Sequence, residues 1–270
     1  MAEVALSTSF QNADSSDIDF LTKFLEDANR LPSIAAGFAK QLELLDIKPG
    51  QTVLDVGCGI GDRAAEMAAK VGTTGKVCGT DLSNLMVEIS KRRNEGNGLP
   101  LEFYVASAVD QPFPDNSFDC VRTERVLMYL PDPEPAIDEL LRVLKPGGGL
   151  LIVDFDWDAL IFSHRDQALT RRIVDHISDS FPNGRVGVHL NRLFREKGLS
   201  EITVVPVGYF STYELARRVC GGILESGVTT GAFDGDTIAR WWSDIEADSA
   251  NGAQVISFQG FITCGRKPQL

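Results

Sequence analysis

Positive charge is what this chain is short of. Its 26 Lys and Arg face 38 Asp and Glu, a formal net charge of -12. Proteins that hold DNA, RNA or anionic membranes need clustered Lys and Arg to displace counterions. The densest basic runs here, Lys91-Arg92-Arg93 and Arg171-Arg172, are short and fall on expected helices, where solvated faces account for them. Neither nucleic acid nor a membrane is an expected partner. Cysteine is scarce too. Cys58, Cys78, Cys120, Cys220 and Cys264 are odd in number and lack any Cys-x-x-Cys spacing, so no disulfide framework or zinc site is expected. His164, His176 and His189 have no metal-ligand spacing either. No apolar run approaches the roughly 20 residues of a membrane span. The start of the chain, acidic and polar, lacks the basic-then-apolar layout of a signal peptide. A cytoplasmic protein without a metal is the expectation. There is no internal repeat, and 270 residues suffice for one α/β domain with a helical extension.

What the chain does have is glycine, three of them at alternate positions directly after an apolar strand. Val53-Leu54-Asp55-Val56-Gly57-Cys58-Gly59-Ile60-Gly61-Asp62 reads as a short buried strand over 52–56 running into a glycine turn. A helix then opens at Asp62, with Ala64, Ala65, Met67, Ala68 and Val71 as its apolar stripe. Such a unit is expected to present bare backbone N–H groups at a helix start, and to admit a ligand where no Cβ stands. A tight turn without a ligand is the plain alternative. The dinucleotide fingerprint requires glycine at its first, third and sixth places. Asp62 occupies the sixth, where its carboxylate would face a pyrophosphate, so a dinucleotide-dependent oxidoreductase is disfavoured.

The spacing Asp55-x-Gly57-x-Gly59-x-Gly61 instead resembles the first motif of class I S-adenosylmethionine-dependent methyltransferases, and the next hundred residues extend the likeness. A second strand, 76–81, ends in Asp81, whose two oxygens suit a ribose diol. It is followed by Leu82 and a helix capped by Ser83. A third strand, 101–105, leads to a stretch ending Gln111-Pro112-Phe113-Pro114-Asp115-Asn116-Ser117-Phe118-Asp119, similar to the family run Leu-Pro-Phe-Pro-Asp-x-Ser-Phe-Asp. Ser107 stands where the family has an Asp that accepts the adenine amino group. A hydroxyl accepts that bond without charge assistance. A fourth strand, 118–123, a helix over 136–144, Lys145-Pro146-Gly147-Gly148-Gly149 and a fifth strand, 150–155, complete a block similar to the ubiquinone/menaquinone-type methyltransferases, with Tyr129 in place of a frequent His.

The resemblance implies S-adenosyl-L-methionine as cofactor and an α/β fold: a doubly wound, seven-stranded, mostly parallel Rossmann-like sheet. Residues 1–48 would be an N-terminal helical cover, 49–155 the cofactor-binding half, and 156–270 the substrate-side half with helical insertions and closing strands. Implied cofactor contacts are Asp55, Gly57, Cys58, Gly59, Gly61, Asp81, Leu82, Met86, Ser107, Ala108, Val109 and Arg125. Leu82 and Met86 would flank the adenine, unless they are simple core. The implied partner is a small-molecule methyl acceptor, quinone-like, phenolic or another natural product, methylated on O, N or C. A homodimer is left open. A fold that binds the cofactor without methylating anything is the other reading.

Outside that block, helical spacing of Ile18, Leu21, Phe24, Leu25 and Ala28, then of Ile34, Phe38, Leu42 and Leu45, predicts two helices divided by Pro32, after a frayed start over 1 to about 14. Capping side chains lie within 14–17. Beyond strand five come helices over 165–181 and 188–197, a strand over 201–212, helices over 214–225 and 237–248, and a last strand over 254–264. Pro206 argues that the strand over 201–212 lies at an edge. Ligands in open α/β sheets sit beyond the carboxyl ends of strands, which makes Asp156, Trp157 and Tyr129 candidate substrate residues. The acids at 154, 156 and 158 do not form a calcium loop, because Ala159 and Arg165 stand where Gly and Glu are required. Candidate general bases are His164, His189 and Tyr129. His176 shares a face with Ile173 and Ile177 and reads as packing.

Overall fold

The computed structural model describes residue 10 and residues 13–269. Helices α1 (Ile18–Asn29) and α2 (Pro32–Leu45) come first; Asp17 caps α1 by accepting the N–H of Phe20, and Pro32 opens α2 at a position where its missing N–H costs nothing. The frayed start expected over 1 to about 14 falls largely outside the described residues. Where it is described it does something else: Asp14 accepts from the Ser83 hydroxyl and from the N–H groups of Asn84 and Leu85. It therefore caps a helix far away in sequence rather than α1.

Strand β1 (Thr52–Val56), α3 (Asp62–Val71), β2 (Lys76–Asp81), α4 (Asn84–Asn94) and β3 (Leu101–Val105) alternate, as parallel βαβ units do. Then follow β4 (Phe118–Glu124), a 3-10 turn (Leu127–Tyr129), α5 (Glu134–Val143), β5 (Leu144–Phe162), α6 (Gln167–Asp179), α7 (Val186–Glu196), β6 (Ser200–Phe210), α8 (Tyr213–Thr229), α9 (Gly235–Ala250) and β7 (Ile256–Arg266). The strands form one sheet in the order β3-β2-β1-β4-β5-β7-β6, in which only β7 runs antiparallel, to β5 and to β6. This is the doubly wound seven-stranded sheet expected. Strand order reverses between β1 and β4, so the crevice for a ligand opens at their carboxyl ends.

Each face of the sheet carries its own core. Phe38, Leu45, Met67, Val71, Leu151 and Ile262 fill one under α2 and α3. Leu54, Ile137, Leu140, Ile152, Ile173 and Leu190 belong to the other, under α5 to α7. Central strands buried on both faces read as continuous apolar runs, which is why β1 and β5 were visible in the sequence. Strand β6 is at the sheet's edge, as Pro206 predicted. Strand β5 runs further than expected, to Phe162, because β7 pairs with it well past Phe155. Asp156 and Trp157 therefore lie inside a strand. Among the described residues, no helix is long and apolar enough to cross a membrane.

Candidate active site

A cavity of about 450 Å³ opens at the crest of the sheet, reaching from Asp81 and Leu82 on one side to Trp157 and Phe258 on the other. The glycine turn forms its floor. Gly57 and Gly59 have φ of +72° and +53°, and a Cβ on Gly57 would stand 2.2 Å from the Val126 side chain. Only glycine meets both conditions cheaply. The bare N–H groups expected at this turn are not bare. Those of Gly57 and Cys58 donate to the Thr80 carbonyl, that of Gly59 to Asp81 Oδ2 (2.9 Å) and that of Gly61 to the Cys58 carbonyl. Strand β2 ends against the turn and absorbs its donors, so these four cannot cradle a phosphate.

Asp81 holds its place through that bond and through the N–H of Ser83, which donates to Oδ1 at 3.0 Å. Each carboxylate oxygen thus accepts one backbone bond and keeps lone-pair capacity for a further donor. Burial raises the Asp81 carboxyl above its ordinary range, against the pull of these two N–H groups. Beside it Leu82 is 67 % exposed, a large apolar side chain left uncovered on the cavity wall, while Met86 behind it is buried.

At the base of the crest a narrow recess of about 50 Å³ lies between the glycine turn and β4. Asp55, Arg122 and Glu124 are buried there. Arg122 donates to Asp55 Oδ1 (2.6 Å), to Gln41 Oε1 (2.7 Å) and to Glu124 Oε2, and Gln41 donates in turn to Glu124. Burial pushes Glu124 up, but the Arg122 and Arg125 charges outweigh it and hold the carboxyl below its usual value. Asp55 goes the other way, raised by burial, with Oδ2 unpartnered among the described residues. Arg125, at φ +59°, is a non-glycine residue in the left-handed region, and strain of this kind gathers at ligand sites. Its guanidinium lies 3.6 Å from Glu124 and borders both recess and cavity.

The opposite end of the cavity is aromatic. Trp157 stacks on Phe181 with ring centres 4.3 Å apart and meets Phe155 and Phe258 edge-on. Its indole N–H points at Met128 Sδ (3.4 Å). Phe10, Phe24 and Tyr129 add a further group. Buried Asp154 accepts the N–H groups of Leu127 and Met128, fixing the 3-10 turn that carries Tyr129. Burial lifts the Tyr129 and Tyr209 phenols far above the neutral range, so both stay protonated.

Of the residues singled out from sequence, Gly57, Gly59, Asp81, Leu82, Met86, Ser107, Ala108, Arg125, Tyr129 and Trp157 line the cavity. Asp55 and Cys58 line the recess. Gly61, Val109 and Asp156 line neither, and in β5 Asp156 alternates away from Phe155 and Trp157. The two candidate histidines are not brought to the cavity. His164 Nδ1 accepts the N–H of Asp166 at the start of α6, with Nε2 3.4 Å from Asp244, and His189 is exposed on α7. A residue type suited to proton transfer selected them, and the fold leaves both away from the cavity. Sequence reasoning missed Phe10, Phe155, Tyr209 and Phe258. Period-two alternation in the strands marks the last three as sharing a face, but what that face meets depends on register.

S-adenosylmethionine combines an adenine, a ribose diol, a sulfonium and a zwitterionic amino acid without any phosphate. The residues present fit it: an acid with spare acceptor capacity, an exposed Leu82 for an adenine face, adjacent carboxylate and guanidinium for the zwitterion, and a glycine turn whose own four N–H groups are already taken. Comparison with known proteins agrees. The family model for a methyltransferase domain matches residues 54–152. An uncharacterised 37.1 kDa protein in a Streptomyces fradiae transposon is 36 % identical over 211 residues, covering 76 % of this chain and 61 % of that protein. The ubiquinone/menaquinone biosynthesis C-methyltransferase UbiE of Pseudomonas fluorescens is 38 % identical over 142 residues, 52 % of this chain and 53 % of the enzyme. The chain thus spans about half the length of the curated relatives it matches. The crystal structure of YcgJ from Bacillus subtilis superposes with a TM-score of 0.61 at 19 % identity, covering 87 % of this chain and all of that one, which speaks to the fold. Residues 54–152 thus match a methyltransferase domain, and the chain is similar to the class I S-adenosylmethionine-dependent methyltransferases of the ubiquinone/menaquinone type.

Proposed function

We propose that this chain transfers a methyl group from S-adenosylmethionine to an uncharged, aromatic small molecule of quinone-like or phenolic kind. One observation carries the reading: a single cavity joins a diol-accepting carboxylate, Asp81, to a chamber walled by Tyr129, Phe155, Trp157, Phe181 and Phe258. Asp81 would take the ribose, Leu82 and Ala108 the adenine, and Glu124 with Arg125 the amino-acid end. When bound, the cofactor supplies an electrophilic methyl on sulfur. The protein's own part is alignment and exclusion of water, which is worth roughly 7–11 kcal/mol of barrier when well executed. The aromatic walls dry the chamber, and Phe181 stacked on Trp157 keeps the wall in one place.

Among the described residues, the titratable side chains on the cavity wall are Asp81, Glu124, Arg125, Tyr129 and Tyr209. Asp81 would be committed to the ribose and Glu124 is ion-paired; burial keeps the two phenols protonated, and Arg125 would face the ligand carboxylate. None is poised to act as a general base. The acceptor atom is therefore one that needs no proton removed before it attacks, such as an electron-rich ring carbon.

Two measurements test this. S-adenosylhomocysteine should raise the thermal midpoint and NAD should not, since only a bound ligand stabilises; a rise with NAD alone would overturn the reading. Release of S-adenosylhomocysteine is then followed against a panel of phenols, quinols, amines and amino acids. Turnover confined to the phenols and quinols is expected. Tight cofactor binding without release against any acceptor would favour a repurposed, non-methylating fold, which is supported by Ser107 in place of an adenine-binding acid and by the lack of a base among the described residues.

A further inference from the structure

We infer that Tyr209, on the outermost strand of the sheet, donates its hydroxyl to the carboxylate of the cofactor's amino-acid end. The assignment rests on the cofactor reading above and adds to it a residue from the opposite end of the domain.

Tyr209 is 4 % exposed although it sits near the end of edge strand β6. Its ring lies inward across β7 because position 260 is glycine. A Cβ there would come within 3.0 Å of Tyr209 Cε2 and 3.2 Å of Phe155 Cδ1. On the other side the ring meets α2 at a second glycine. A Cβ on Gly37 would stand 3.0 Å from the hydroxyl oxygen and 3.1 Å from Cε1. Phe155 closes the slot edge-on, with ring centres 5.5 Å apart. Two positions without side chains therefore admit this ring to the cavity wall, and both would resist enlargement.

The hydroxyl at the end of that slot has no hydrogen-bond partner among the described residues. A buried, unpaired hydroxyl calls for an explanation, the more so because phenylalanine would fill the same space without it. Its surroundings name the partner. The charged groups whose fields reach it are Glu124, Arg125, Arg122 and Arg63, the set that lines the recess under the glycine turn. Gln41, one helical turn beyond Gly37, is bonded to both Arg122 and Glu124. The hydroxyl thus belongs to the charged end of the site rather than to the aromatic chamber. Being protonated, it is a donor, and a ligand carboxylate beside Arg125 is the acceptor it lacks.

Isothermal titration of two nucleosides against the full chain tests this. S-adenosylhomocysteine carries the amino-acid end; 5′-methylthioadenosine keeps the adenine, ribose and sulfur but lacks it. Tyr209→Phe should weaken S-adenosylhomocysteine roughly ten- to a hundredfold, as expected for one bond to a charged group, and leave methylthioadenosine within about twofold. Gly37→Ala, which crowds the hydroxyl while keeping it, should give the same selective loss, and it serves if the first variant does not fold. Unchanged affinity for both ligands in both variants, or equal losses for the two ligands, overturns the role of Tyr209 while leaving the cofactor reading intact. A wild-type chain that takes up neither nucleoside overturns the cofactor reading, and this assignment with it.

Discussion

Asp154→Asn should flatten the pH dependence of stability. Asp154 is wholly buried, and three backbone N–H groups hold it rather than a cation: those of Leu127 (2.9 Å) and Met128 (3.3 Å) on Oδ2, and that of Phe155 (3.2 Å) on Oδ1. Burial pushes its carboxyl from 3.8 up to about 7. Between those values the folded protein keeps a proton that the unfolded chain has lost, so stability must fall as pH rises through the window. At roughly 1.4 kcal/mol per pH unit the full loss above neutrality is about 4 kcal/mol. Asparagine does not titrate. It can still accept from Leu127 and Met128, but its amide N–H₂ then faces the Phe155 N–H, a pH-independent penalty of about 1–3 kcal/mol. The variant should therefore lie within about 1 kcal/mol of the wild type at pH 5 and be the more stable protein, by about 1–3 kcal/mol, at pH 8. Urea denaturation of both proteins at half-unit steps across that range measures the difference directly, and contributions from every other titrating group cancel in it. Parallel curves would show that Asp154 is ionised throughout and that the burial argument is wrong.

The other predictions concern the cavity floor and the recess. Asp81→Ala should weaken S-adenosylhomocysteine at least about a hundredfold by calorimetry, because two charge-assisted bonds to a diol are lost together; an unchanged Kd would remove Asp81 from the site. Arg122→Met leaves Asp55 buried without its counter-ion and takes from Glu124 the nearer of its two, and urea denaturation should register a loss of about 3–5 kcal/mol. Gly57→Ala forces a Cβ to within 2.2 Å of Val126 at a positive φ, and a thermal melt should fall by several degrees even without ligand. An unshifted midpoint would mean that the turn relaxes where it looks rigid.

The cofactor half was legible because its signals are local. Gly57 and Gly59 sit where the backbone goes left-handed, Asp81 closes a buried strand, and the two lie close enough in sequence for motif spacing to tie them together. Even so, the purpose of the glycines was only half visible. Their φ values serve the turn itself, and its N–H groups, read as waiting for a ligand, are consumed by Thr80 and Asp81. The acceptor half was opaque for the opposite reason. Tyr209, Phe155 and Phe258 meet only after β7 is laid antiparallel between β5 and β6, and nothing in the residues near Phe155 announces that Gly260 will lie beside it. Histidines were chosen there by chemistry alone, and His164 turned out to hold a helix start.

The chamber is assembled from the two ends of the chain. Phe10 and Phe24 come from before the first strand, and Phe181 and Phe258 from after the fifth, while Asp81, Leu82 and Arg125 lie between them. Exchange of either flank, by recombination or by drift, would reshape the chamber while leaving Asp81, Leu82 and Arg125 in place. Selection on the chamber's shape and selection on the glycine turn can thus act on largely separate stretches of one gene.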